Sequence, residues 1–215
     1  MKREDLFLLV LSIAFLAAVA WSAVEPLHFE DWLLEIATPV LGFVLLLATG
    51  RRFRFTPLAY ALLFAEALVL VVGAHYTHAK VPLFDRLKEA LDLSRNHYDR
   101  FAHFCVGFLV AIPVREVLAR LSPLRGAWLA ALTVVSLFAW GAVYEISEWW
   151  IAVVASPATA DSYLGSQGDP FDAQKDMLLD GIGAIAGIAA FARLHDRQLA
   201  AIAASRPRVS APSPG

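Results

Sequence analysis

Six stretches of this chain are each long and apolar enough to cross a lipid bilayer as a helix, and no other feature restricts its fold as much. They cover about 6–24, 32–49, 57–74, 101–118, 127–151 and 172–193. A span needs roughly 20 mostly apolar residues, because the hydrocarbon layer is about 30 Å thick and a helix rises about 1.5 Å per residue. Inside that layer every backbone N–H and C=O must find its partner within the protein, so only helices and closed barrels remain. None of the six stretches alternates with period two, which argues against a barrel. Composition agrees. Of the 215 residues, 59% are hydrophobic and 18% charged, against about 45–50% and about 25% in a soluble domain. Those values also exclude a disordered chain. A single cysteine, Cys105, rules out an internal disulfide or a paired-cysteine zinc site. The net charge of −2 gives no reason to expect nucleic acid as a partner. The expected fold is an all-α, polytopic membrane bundle of about six transmembrane helices, with residues 1–204 as its one domain. The segment 205–215, rich in Pro and Ser, reads as a disordered cytoplasmic tail. Pro39, Pro57 and Pro113 fall in or beside spans, where neighbouring helices can satisfy the freed carbonyls.

The basic residues give the direction. With the N-terminus inside, twelve of the eighteen Lys and Arg lie on the cytoplasmic side, from Lys2 and Arg3 through Arg51, Arg52, Arg54, Arg115, Arg120 and Arg125 to the C-terminal arginines. The other six are Lys80, Arg86, Lys88, Arg95, Arg100 and Lys175. This bias predicts that both termini are cytoplasmic and that the chain is a multi-pass plasma (inner) membrane protein. Lys2, Arg3, a short apolar run and Ala18-Val19-Ala20 also have the outline of a signal peptide. Glu4 and Asp5 interrupt its basic region, and the apolar run continues to Val24, so the first span is read as retained. The longest loop, 75–100, carries Leu83, Phe84, Leu87, Leu91 and Leu93 at helical spacing. That spacing suits a short helix that lies in the outer interface or caps the bundle.

Ionisable groups within a membrane cost at least about 2.5–3.5 kcal/mol each, so their placement points to function. Asp99 and His103 share one face of the fourth span, and Gly107 continues it. Asp at a helix start is also a routine cap, and Arg100 can reach up to the surface. Glu145 and Glu148 share a face of the fifth span, with Gly141 one turn below. The Trp149-Trp150 pair marks the interface, which sets Glu145 about 7 Å inside. Asp169-Pro170 reads as the start of the sixth span, with Asp172 in its first turn. Asp176 and Asp180 point the same way as Gly183 and Gly187, a pattern of close helix contact, so both are expected in the bundle interior. Asp180 then lies about 12 Å deep. His75 and His78 share a face if the third span continues that far, and Glu66 lies about 13 Å below His75. Positive-inside topology, derived from Lys and Arg alone, gathers these clusters at the outer ends of the spans.

The runs GAHYTHAKVPLF, RNHYDRFAHFCVGF, YEISEWW and LGSQGDPFDAQKDM, in this order, resemble the YjdF-like family of bacterial inner-membrane proteins. More distantly, Asp99-Arg100-x2-His103, Glu145 and Asp172-x3-Asp176 resemble the pattern of VanZ-like membrane proteins. The first resemblance implies a helical membrane fold and an inner-membrane location. Neither supplies a reaction.

His103, Glu145, Glu148, Asp176 and Asp180 offer the nitrogen and oxygen donors that suit zinc, manganese or magnesium, with His75, His78 and His97 as secondary candidates. Glu145, Asp180 and Asp99 are candidates for acid–base work. Together they suggest a hydrolase or transferase that acts on an extracytoplasmic small molecule or a lipid headgroup at the bilayer. The sequence has no HExxH, nucleophile elbow or P-loop. Two other readings stand beside it: a non-catalytic scaffold, with the polar tier as interhelical glue, and a proton-coupled carrier, for which only Glu66 approaches the midplane. Four carboxylates in one small space repel, so either a cation or a proton is expected among them.

Overall fold

The computed structural model describes residues 3–154, 163–164 and 166–204. Among these residues the chain is all-helical. The elements are α1 (Arg3–Ser22), α2 (Phe29–Thr49), α3 (Pro57–Tyr76), a 3-10 turn (His78–Lys80), α4 (Pro82–Ala90), α5 (Tyr98–Leu121), α6 (Gly126–Val154) and α7 (Asp172–Ala204). All but the 3-10 turn and α4 are long and apolar enough to span a membrane. Helix α7 runs to Ala204, eleven residues past the end expected from hydropathy. The tail expected at 205–215 lies outside the described residues.

The helix starts follow local chemistry. Thr56 accepts a hydrogen bond from the Ala59 N–H, and Pro57 occupies the first helical position of α3, where its missing N–H has no helical partner to lose. Helix α3 ends because Thr77 turns to φ +48°, outside the helical region. Pro82 opens α4 in the same way as Pro57. Phe84 of α4 packs on Tyr98 and Phe101, while Leu83 and Leu87 are exposed, so this helix both caps α5 and presents an apolar face.

The interior is built around α5 and α7, the most intimate pair, with α6 against both. Helix α3 packs on the other side of α5, and α1 and α2 lie on α3. Three glycines let α5 and α7 approach. A Cβ at Gly107 would collide with the Asp180 carbonyl, one at Gly183 with that of Phe104, and one at Gly187 with that of Phe108. Without a hydrophobic force between helices in lipid, such close backbone packing holds them together. Ala111, Leu137 and Ala184 form the apolar centre between α5, α6 and α7. The polarity is that of a membrane protein. Leu41, Leu45, Leu47, Trp128, Val143, Trp149 and Ile185 face outward, while Asp31, Glu66, Glu116, Asp176, Asp180 and His195 are buried.

Candidate functional site

Two tiers of buried polar groups sit at opposite ends of the α5–α7 pair. His103 and Glu116 mark them on α5, thirteen residues or about 20 Å apart.

At the His103 end, α5, α6 and α7 each contribute one group to a common point. His103, Glu145 and Asp176 each place a ligand atom within 4.8 Å of the other two. The two ring nitrogens of His103 face different partners. Nδ1 meets Asp180 Oδ2 at 3.2 Å, and Nε2 meets Glu145 Oε1 at 3.3 Å. A carboxylate behind Nδ1 holds the ring and leaves Nε2 for whatever occupies the centre, as in carboxylate–histidine–metal arrangements. Asp180 fits behind the ring because Gly141 of α6 leaves it room. A Cβ there would collide with the Asp180 carboxylate.

Above this point lies a cavity of about 160 Å³, lined among others by Asp99, Glu145, Glu148, Asp172 and Asp176. Asp176 is 2% exposed, and its Oδ1 has no hydrogen-bond partner. Leaving a buried polar atom unpartnered costs about 1–3 kcal/mol, more for a charged group. Asp99, Asp172 and Asp176 also converge within 4.8 Å. Asp172, however, is held by Arg95 in a two-armed fork and by Arg100 at 3.0 Å. Its oxygens are already neutralised, so the His103 group suits a cation better.

A basic layer sits beside the cavity. Arg95, Arg100, Gln167, Asp169 and Lys175 line a groove of about 460 Å³. Arg100 and Lys175 both donate to Asp169. Lys175 first, then the Phe171 N–H and Arg100, hold the Asp169 carboxyl well below the usual carboxylate range. The two loops forming the groove are locked by Asn96 and Gln167. The Asn96 N–H donates to Gln167 Oε1 at 2.9 Å, and Gln167 Nε2 donates back to the Asn96 carbonyl at 2.9 Å.

Some expected roles change. Asp99 is not the cap of α5. The cap position is His97, and the side chain that accepts from the Tyr98 N–H is Asn96. Asp99 therefore lines the cavity. Arg100 does not reach for the surface but pairs with Asp169 and Asp172. Asp180 is fully buried behind His103 and does not line the cavity; Glu148 lines it but stands apart from the convergent triad. His75 and His78 share no face, because the chain turns at Thr77. His75 stacks on Trp21 and hydrogen-bonds the Ser22 carbonyl at 3.0 Å. His78 pairs with Glu35 at 2.8 Å. Burial alone would lower the His78 pKa, but Glu35 outweighs it and the net direction is up. His97 lies outside both groups and is pushed down by burial, then by Arg100 and Arg95. Glu66 is 4% exposed with neither oxygen hydrogen-bonded.

The other tier was not expected, since the sequence makes the far halves of these helices look apolar. Glu116 accepts from the Thr56 N–H at 3.1 Å, the Thr56 hydroxyl at 2.8 Å, Arg120 at 2.7 Å and His195 Nε2 at 3.2 Å. Arg115 approaches His195 Nδ1 at 2.8 Å. An arginine only donates, so Nδ1 accepts and the ring proton sits on Nε2, aimed at Glu116. Gln198 accepts from the Leu58 N–H at 3.1 Å and ties α7 to the start of α3. The one available signal was the coincidence of Glu116 and His195 with apolar neighbours on long helices.

Comparison with known proteins bears on most of the chain. Residues 7–197 match the model of a family described as predicted membrane protein, DUF2238. The inner membrane protein YjdF of Escherichia coli (strain K12) is 44% identical over 169 residues, covering 78% of this chain and 80% of that protein. No solved structure matches. The YjdF-like resemblance is thus borne out, while the VanZ-like one rests on its motif residues alone.

Proposed function

The chain belongs to the DUF2238 family of predicted membrane proteins, and we propose that it is an inner-membrane hydrolase or transferase whose His103 end binds a divalent cation. Its substrate would be an extracytoplasmic small molecule or a lipid headgroup. The observation that carries this reading is the convergence of His103, Glu145 and Asp176 beside a cavity that Asp176 lines, with Asp176 Oδ1 buried and unpartnered. One nitrogen and two carboxylates suit zinc, manganese or magnesium. Such a cation would supply an activated water or polarise a substrate oxygen. Asp180 then orients His103, and Asp99 and Glu148, which line the same cavity, are the groups in position to take up or return a proton.

In this reading both termini are cytoplasmic and the His103 end faces outward. A reporter active only outside the cytoplasm should give signal when fused after Lys88 and none after Arg54; the reverse pattern overturns the topology. Metal analysis of the purified protein in detergent tests the site. Stoichiometric divalent metal that disappears in Glu145→Gln supports it, and a protein that binds none under any divalent supply removes it. A proton-coupled carrier draws on one observation of its own, the buried, unpartnered Glu66. Proton uptake into proteoliposomes that Glu66→Gln abolishes would favour that reading instead. A Glu145→Gln, Asp176→Asn double variant that keeps full function and full stability would remove the site from consideration altogether.

A further inference from the structure

Glu66 belongs neither to the convergent triad nor to the cavity lining. Yet the packing of α3 on α5 brings it to the level of His103. The two helices run antiparallel, and two contacts set their register. At one end the Tyr98 hydroxyl donates to the Val69 carbonyl at 2.8 Å. At the other, Leu62 and Ile112 share an apolar cluster. Glu66 lies between Leu62 and Val69 on α3, and His103 and Cys105 lie between Tyr98 and Ile112 on α5. Counted from the Tyr98–Val69 contact, Glu66 is about 4.5 Å along its helix and His103 about 7.5 Å along the other, within one turn of the same depth.

The charge of Glu66 has no counterpart. The side chain is 4% exposed and neither oxygen is hydrogen-bonded. The charged groups that act on it are Asp180, His103 and His78, with no Lys or Arg among them. Both histidines are engaged by other carboxylates, His78 by Glu35 of α2 and His103 by Asp180 and Glu145. From α5, Tyr98 and Cys105 also interact with it, and α1 carries no ionisable side chain from Leu6 to Ser22. A carboxyl buried in apolar surroundings without a counter-charge takes up a proton rather than stay ionised. The negative groups of the His103 centre, Glu145, Asp176 and Asp180, favour that proton further. A divalent cation among them reverses the field that Glu66 feels, and the ionised form gains.

We propose that Glu66 is a proton-binding site coupled to the cation site: it carries a proton while no divalent cation is bound, and releases it to solution when one binds between His103, Glu145 and Asp176. This rests on the reading of that centre as a cation site and adds what regulates it. Glu66 acts through its charge and not as a ligand, since it stands outside the convergent group. The coupling is reciprocal: the cation expels the proton, and the proton weakens cation binding by the same factor. Cation affinity therefore rises with pH, about tenfold per pH unit for each proton displaced.

The test titrates manganese(II) into the full chain in detergent from about pH 6 to about pH 8, and counts released protons with an indicator in weak buffer. Glu66→Gln keeps the shape of the protonated side chain and has no proton to give. It should still bind one cation per chain, release about one proton fewer, and lose about a factor of ten per pH unit from the rise in affinity. The two proteins should bind alike at the acid end and differ at least about tenfold at the alkaline end. Glu66→Asp should restore the released proton. The infrared difference between cation-bound and cation-free protein should show the loss of a protonated carboxyl C=O band that moves in Glu66→Asp, a reading that holds even if Glu66→Gln does not fold. An unchanged proton count and pH dependence in Glu66→Gln overturns the coupling and leaves the cation site standing, as does the absence of that infrared band. Equal weakening at every pH makes Glu66 a structural support or a ligand and also overturns it. An unaltered protein that binds neither manganese nor zinc or magnesium removes the cation reading itself, and the coupling with it.

Discussion

The two ends of the α5–α7 pair hold the same chemical parts, a buried histidine facing a buried carboxylate, and finish them differently. At one end Glu116 accepts from Thr56, Arg120 and His195, and His195 in turn accepts from Arg115, so the ring and the carboxylate are both engaged. At the other end His103 meets Glu145 and Asp180, yet Asp176 and Asp180 each keep an oxygen without a partner. Arginines stand at both ends, but near His103 they are committed to Asp169 and Asp172. A completed network ties helices together; an incomplete one, opening on a cavity, is where a ligand can supply the missing contacts.

Amidation of one carboxylate at each end should therefore act in opposite directions. Glu116→Gln replaces an acceptor by an amide that confronts the Thr56 and His195 donors and leaves Arg120 without its counter-charge. We expect a loss on the order of 3 kcal/mol in thermal unfolding in detergent. A loss below half of that would erase the contrast between the ends. Next in size is the effect of a divalent cation at the His103 end. At about one hundred times its dissociation constant it should stabilise the protein by about 2.7 kcal/mol, and Asp176→Asn should remove that rise. A rise of equal size in Asp176→Asn would move the binding elsewhere.

The packing that brings the ends into register gives a third test. Gly183→Ala forces a methyl group against the Phe104 carbonyl and should cost about 1–3 kcal/mol. It should also weaken divalent binding, because Asp180 and His103 lie on the two helices it separates. Thr56→Val keeps the N–H that Glu116 accepts but removes a hydroxyl that donates to Glu116 and caps α3. A loss of about 1–2 kcal/mol is expected, with divalent binding untouched. The smallest effect belongs to Asp176→Asn without metal. It removes a repelling charge and keeps a hydrogen-bonding side chain, so stability should be unchanged or slightly higher. A clear loss would show that the His103 end is as complete as the other.

Much of the His103 end was legible along single helices. Asp176 with Asp180, Glu145 with Glu148, and Asp99 with His103 share faces by spacing alone, and the glycines in register with them mark faces that meet other helices. Arg95, Asn96 and Gln167 were not legible, since they act from loops where no periodicity reports direction. Nor was the break after Tyr76, which separates His75 from His78: a threonine at positive φ leaves no mark in hydropathy.

Six apolar runs, the absence of period-two alternation and the small-residue faces determine by themselves that this is a helical membrane bundle with its ionisable groups turned inward. They do so because burial in lipid acts on each helix separately, one face at a time. Which carboxylate meets which histidine is settled only by the tertiary structure. His103 and Asp180 are 77 residues apart, and Glu116 and His195 are 79. Their pairing depends on the rotation and depth at which α5 meets α7, set by backbone contact at Gly107, Gly183 and Gly187. A helix shifted by one full turn along its axis would keep the same face toward lipid and bring a different set of partners together in the core.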